Sequence, residues 1–307
     1  MDAPASIAEA CDRVLRCSDP IEKASLAHIA YQELVARGLP VGSSVGPVDY
    51  PARPERPKLV QTIREVPTVD EADMHPSAHC LHLLAHIELN AIDLACDTAA
   101  RFAHLRLPPD FYADFLRVAA DEARHFGWVE QRMRELGSRY GDINAHDLLW
   151  QGCAKSSGDV RQRLAAIPMS QEARGLDAGP RLAKRLGRKE GDWRSSAIVR
   201  RIAEEERAHV AIGVSWFVRV CDALGERDYG EAFRADMRAA GLVDVLRGPF
   251  NHGARAEVGM DRAWYDKEMW GHDEAGACIS RGLSREDLEV LRHRMSGLIG
   301  AEHAAAA

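Results

Sequence analysis

The sequence predicts an all-α protein, an up-down helical bundle with helical additions at both ends, on three observations. Apolar residues recur at three- and four-residue steps almost without interruption from about residue 75 to 224. Two-residue alternation of the kind that marks strands is nearly absent. Two copies of Glu-x-x-His, Glu122 to His125 and Glu206 to His209, each lie 34 residues after another glutamate, Glu88 and Glu172.

Taken in order, residues 5 to 37 read as two short amphipathic helices parted near Asp19-Pro20, since proline opens a helix but does not continue one. A Pro- and Gly-rich connector follows from about 38 to 69 and includes Pro51-Ala52-Arg53-Pro54-Glu55-Arg56-Pro57. Such a stretch crosses a surface in extended form or lines a substrate entrance. The long helical region then breaks at 103 to 109, 137 to 144, 152 to 158 and 187 to 192, leaving four main helices. A helix near 228 to 240, an irregular segment through Gly248-Pro249-Phe250-Asn251-His252-Gly253 and a last helix near 283 to 299 complete the chain. This divides it into N-terminal helices with the connector (1–70), a four-helix bundle (71–225) and a C-terminal helical extension (226–307).

Glu and His three apart on a helix project within about 60° of each other, so both reach one ion from one face. Each of the four acids interrupts an apolar stripe. Leu81, Leu84, Ala91 and Ala95 flank Glu88; Phe115, Val118, Phe126 and Val129 flank Glu122; Ala165, Met169 and Leu176 flank Glu172; Val199, Ile202, Val210 and Gly213 flank Glu206. Carboxylates pointing into a core cost several kcal/mol each unless paired, protonated or bound to metal. Two divalent cations would offset that charge, and mixed carboxylate and imidazole ligation suits iron or manganese. If the first bundle helix ends near residue 102 and its partner begins after Leu107-Pro108-Pro109, Glu88 and Glu122 return to the same height at about 1.5 Å per residue. The second pair repeats this less cleanly. Asp192-Trp193 starts the last bundle helix, but Gly175, Gly179 and Pro180 interrupt the third, and Pro168 begins or kinks it.

Composition bounds the rest. A net charge of −7 with scattered Lys and Arg makes nucleic acid an unlikely main partner. No run of 18 apolar residues is present, and Met1-Asp2-Ala3-Pro4 lacks a basic segment before an apolar one, so a cytoplasmic protein without a membrane span is expected. Seven dispersed cysteines, Cys278 among them and none in Cys-x-x-Cys, read as free thiols.

The runs His86-Ile87-Glu88-Leu89-Asn90-Ala91-Ile92-Asp93-Leu94, Asp121-Glu122-Ala123-Arg124-His125-Phe126 and Glu172-Ala173-Arg174-Gly175-Leu176-Asp177 resemble a bacterial ferritin-like family, distantly similar to the tRNA hydroxylase MiaE, over roughly residues 50 to 260. The wider arrangement resembles the ferritin-like di-iron carboxylate superfamily, in which two helices each give one Glu and two others each give Glu-x-x-His. The resemblance implies that Glu88, Glu122 and His125 hold one iron with help from the other half, and that Glu172, Glu206 and His209 hold the second. It also implies that one or two glutamates, Glu122 and Glu206 foremost, bridge the ions. It further implies that Asp121 orients His209 and Glu205 orients His125. Manganese, or a mixed pair, fits the same ligands.

The expected activity is that of a non-haem di-iron oxygenase or oxidase, which activates dioxygen to hydroxylate or otherwise oxidise a small organic substrate. Electrons come from an external donor, since no flavin or nicotinamide fingerprint is visible. A homodimer is compatible with such a bundle. Ferroxidase or iron-storage activity, peroxide scavenging and tRNA hydroxylation are the alternatives.

Duller readings stand beside each candidate. The acids pair with Arg124, Arg174 and Arg207 in a helix-surface lattice. His75, His79, His82 and His86, beside Cys80, form either an independent metal site or a set of capping and core hydrogen-bonding groups. Tyr112 and Trp128 relay electrons, shape a pocket or simply fill the core. Phe250-Asn251-His252 is a lid or a plain turn.

Overall fold

The computed structural model describes residues 3–43, 46, 48–270 and 282–305; Cys278 lies outside them. The architecture is all-α. In chain order the helices are α1 (Ile7–Arg16), α2 (Pro20–Arg37), α3 (Val69–Ala72), α4 (Pro76–Arg101), α5 (Pro109–Glu135), α6 (Leu148–Lys155), α7 (Val160–Ala166), α8 (Ala173–Arg188), α9 (Trp193–Leu224), α10 (Tyr229–Ala239), α11 (His252–Glu257), α12 (Arg262–Tyr265) and α13 (Arg285–Ala305). The strand content among the described residues is one parallel pair, β1 (Leu59–Val60) with β2 (Ala145–His146), which the connector and a loop form together and which no alternation in the sequence announced. No single helix among the described residues is long and apolar enough to cross a membrane.

The helix boundaries follow local chemistry. Asp19 accepts the Glu22 N–H and Pro20 opens α2, which ends on Gly38 in the left-handed region at φ 64. Asp192 caps α9, accepting the Ser195 N–H at 3.0 Å and the Ser195 hydroxyl at 2.6 Å. The region around Glu172 departs most from the expected single helix. Between α7 and α8 the chain takes a π-helical turn, Ile167–Glu172, with Pro168 in its first positions.

The chain divides into two compact units that interleave along the sequence: Met1–Ala103, Tyr112–Gln151 and Pro180–Ile202 form the first, and His104–Phe111, Gly152–Gly179 and Ala203–Ala307 the second. In the first unit, α1 packs on α4 and α2 through Ile7, Cys11, Val14 and Leu15, all buried. Helix α4 is buried around nearly its whole circumference, so it must satisfy polar groups on more than one face. One of those faces carries a network that periodicity does not reveal. Asp93 accepts Lys23 Nζ at 2.5 Å, with both side chains fully buried, and pairs on its other oxygen with Arg53. Arg53 also donates to Asn90 Oδ1 at 2.6 Å. Because Arg53 belongs to the Pro-rich connector, this pair pins that segment along α4. Arg101 Nη2 donating to Val48 O at 2.7 Å and Trp150 Nε1 donating to Asp49 O at 3.2 Å fasten it further.

In the second unit the glycines expected to trouble the third helix turn out to be contact residues. A Cβ on Gly179 would lie 2.7 Å from Ala203 Cβ, one on Gly175 would lie 3.3 Å from Glu206 Cγ, and one on Gly213 would lie 2.4 Å from Pro168 Cβ. Glycine here lets the π turn and the start of α8 lie directly against α9. Pro180 is accommodated inside α8.

Candidate metal centre

In the first unit, Glu88 projects from α4 and Glu122 and His125 from α5, and all three are inside: relative exposures are 2%, 1% and 0%. The turn between the two helices is closed by Tyr112, whose hydroxyl donates to Phe102 O at 3.1 Å. From there the two helices bring Glu88 and Glu122 to one level, as their spacing implied. His125 Nδ1 lies 3.4 Å from Glu88 Oε2 and 3.4 Å from Glu122 Oε2, and the ligand-capable atoms of the trio lie within 4.8 Å of one another.

The electrostatics of this trio are those of a site short of positive charge. Burial raises the Glu88 pKa well above the carboxylate range, and the neighbouring Glu122 charge raises it further. Burial works against a charged imidazole at His125, but Glu122 and Glu88 outweigh it and push its pKa up to about 11. Even so, Glu88 Oε2 is buried with no hydrogen bond of acceptable geometry. A buried carboxylate oxygen left in this state costs free energy that a cation would recover. The donor set, two buried carboxylates and a buried imidazole, therefore fits a divalent transition metal.

In the second unit, Glu206 and His209 share one face of α9, at 6% and 1% exposure, with His209 Nδ1 3.4 Å from Glu206 Oε2. Glu172 ends the π turn and is half-buried, one turn before the Gly175 that lies against Glu206. Asp121 is half-buried and pairs with Arg124 at 2.8 Å, and Glu205 is half-buried. Arg207 pairs with Glu257 at 2.7 Å.

The α4 histidines have structural partners. His75 caps α4, accepting the Ser77 N–H at 3.1 Å, and His79 Nε2 lies 2.7 Å from Pro67 O. His86 lies between the Tyr140 hydroxyl at 2.8 Å and His146 O at 2.7 Å, and burial holds its pKa down at about 3. These are the capping and core roles, served by groups of the connector and the loop after α5. Tyr112 is likewise a core residue. Trp128 is half-buried with its ring 5.6 Å from that of His125, so this aromatic side chain touches the trio.

His82 gives a pH prediction. Its Nε2 accepts the Gly141 N–H at 2.9 Å, its ring stacks on Tyr140 at 5.4 Å, and burial holds its pKa down at about 4. The unfolded chain takes up this proton near pH 6.5 and the folded one does not until about pH 4. The stability contributed by neutral His82 is thus present above pH 6.5 and lost as the pH falls towards 4. Denaturant unfolding at pH 6.5 and at about 4.5 should show His82→Gln losing roughly 2 kcal/mol less than the wild type over that interval. Equal losses in the two proteins would refute the assignment.

Two features of the site region were not anticipated from sequence. Asp177, at the end of the Glu172 run, holds Arg255 through two bonds, Nη2 to Oδ2 at 2.6 Å and Nε to Oδ1 at 3.1 Å. It also accepts the Asn251 N–H at 2.7 Å. Phe250-Asn251-His252 is thereby a fastened corner that caps α11, with Phe250 edge-on to Tyr265 at 5.0 Å. An acid one turn past a candidate ligand was the available signal; its partner, 78 residues away, had none.

Among known proteins, the chain is 33% identical over 263 residues to an uncharacterized protein of Haemophilus influenzae, covering 81% of this chain and 88% of that one. No solved structure matches. The family profile described as protein of unknown function, DUF455, matches residues 16–266, and the chain belongs to that family.

Proposed function

We propose that the two half-sites form one di-metal centre in a ferritin-like four-helix bundle, and that the protein is a non-haem di-iron oxygenase or oxidase acting on an organic substrate. The observation that carries this reading is the buried trio Glu88, Glu122 and His125 with an unsatisfied carboxylate oxygen at its centre. The repeated spacing, which sets Glu206 and His209 inward on α9 in the same way, supports it.

Glu88, Glu122, His125, Glu172, Glu206 and His209 would hold the two ions, and Asp121 and Glu205 would serve as outer partners of the histidines. Bound there, a ferrous pair supplies dioxygen reduction, with electrons from an external donor. The protein's own contribution is to hold the donors in a dry core, where Val118, Phe126 and Val129 on α5 exclude water around Glu122. His125 would have to give up the proton it holds beside Glu88 and Glu122 in order to ligate a cation, so loading would release protons.

The test is metal content on protein purified from iron-supplemented cells, followed by the optical spectrum of the reduced form mixed with oxygen. About two irons per chain are expected, with loss in Glu122→Ala and in Glu206→Ala and an oxygen-dependent absorbance change. Well-folded protein with no transition metal would sink the proposal. Catalysed iron oxidation with mineral build-up, or peroxide consumption without substrate oxidation, would redirect it to storage or scavenging.

A further inference from the structure

We infer that a cleft in the first unit, between the C-terminal half of α5 and the first turns of α9, binds a carboxylate carried on an apolar, ring-sized body. The cleft is about 390 Å³, and Trp128, Arg132, Glu135, Arg194, Ile198 and Arg201 line it. That volume lies in the range of small-molecule sites. Trp128 forms one wall and its ring packs against His125, so a molecule seated here lies one side chain from the candidate ligands.

The polar part of the cleft is built and held. Arg132 donates to Ser195 Oγ at 3.0 Å, to Asp192 at 3.0 Å and to Glu135 at 2.9 Å, and Arg194 reaches the other oxygen of Glu135 at 2.6 Å. The Glu135 carboxylate thus serves two guanidinium groups, Asp192 holds Arg132 from behind, and Arg201 adds a third guanidinium to the lining. Guanidinium forks match carboxylates in shape as well as charge. The surrounding segment strengthens this sign: residues 180 to 202 hold eight Lys and Arg and two acids in a chain of net charge −7. Among the described residues Lys184, Arg188, Lys189 and Arg200 are exposed without an ion-pair partner. Positive charge concentrated in one segment of an acidic protein draws anions towards it. The apolar walls, Trp128 and Ile198, set the other half of the chemistry.

That this ligand is the substrate rests on the di-metal reading; that the cleft binds it does not. The experiment therefore uses the metal-free full-length protein. Binding of 2-naphthoate and of its neutral counterpart 2-naphthalenemethanol is followed through the Trp indole N–H resonances, with the Trp128 signal assigned by Trp128→Leu. The carboxylate should bind at least about tenfold more tightly than the alcohol at low salt, and Arg201→Gln should lose about tenfold of that affinity. Arg194→Gln is the second variant if Arg201→Gln does not fold. No binding of either compound, equal binding of both, or affinity unchanged in the arginine variants would overturn the inference. Two irons per chain without naphthoate binding would refute the cleft alone, and naphthoate binding in a chain that takes no iron would refute the metal centre alone.

Discussion

Glu88→Leu should make the metal-free protein more stable and the metal-loaded protein less so. Without a cation, Glu88 places a carboxyl group in a dry core beside Glu122, with Oε2 lacking a hydrogen bond. His125 keeps Glu122 as its partner, so a leucine of similar size removes only the desolvation cost of an unsatisfied carboxyl, about 1–3 kcal/mol. For a chain of this size that corresponds to a melting temperature several degrees higher, at roughly 2–4 °C per kcal/mol. Ferrous ions, added without oxygen, should raise the melting temperature of the wild type, since a ligand at a hundred times its Kd contributes about 2.7 kcal/mol. They should leave Glu88→Leu unchanged. The paired melts separate a site kept for binding from a carboxylate kept for packing. If Glu88→Leu lowers the melting temperature of metal-free protein, Glu88 is a structural residue and the centre built on it is wrong.

Arg255→Ala should be the most damaging single change in the second unit. Arg255 is buried, sits over the rings of Tyr265 at 4.5 Å and Phe250 at 5.0 Å, and holds both oxygens of Asp177. Truncation removes the guanidinium and leaves Asp177 as an uncompensated charge in the core, a loss of about 3–5 kcal/mol. The melting temperature should fall by on the order of 10 °C. Asp177→Asn combined with Arg255→Met should recover part of this, because the unpaired charge is then gone. A loss below about 1 kcal/mol for Arg255→Ala would show the pair to be dispensable and the corner at Phe250 to be held by its rings alone.

Much of the fold was legible because it is written in contacts a few residues long. The three- and four-residue apolar period marked α4, α5 and α9, Pro20 and Pro109 marked helix starts, and Asp192 marked the start of α9. The inward direction of Glu88, Glu122, Glu206 and His209 followed from the same period, since a residue three or four places from core positions shares their face. The π turn was not legible. Pro168 signalled an interruption, but whether a helix breaks, bends or widens there depends on what Gly213 across from it permits. Nor was the meaning of Gly175 and Gly179, which look like helix breakers in the sequence and are close-approach points in three dimensions.

By itself, then, the sequence determined that the chain is helical, where its long helices run and that Glu88, Glu122 and Glu206 face inward, whereas Glu172, expected inside as well, is half-buried; propensity, capping and periodicity act within one or two turns. The tertiary structure alone decided the partners of the buried polar groups. His82 finds Gly141 across 59 residues and His86 finds Tyr140 and His146 across 54 and 60; Asp93 finds Lys23 across 70, and Asp177 finds Arg255 across 78. A buried polar side chain must be satisfied by some group, but its own surroundings in the chain do not say which, and only the packing of distant segments supplies one.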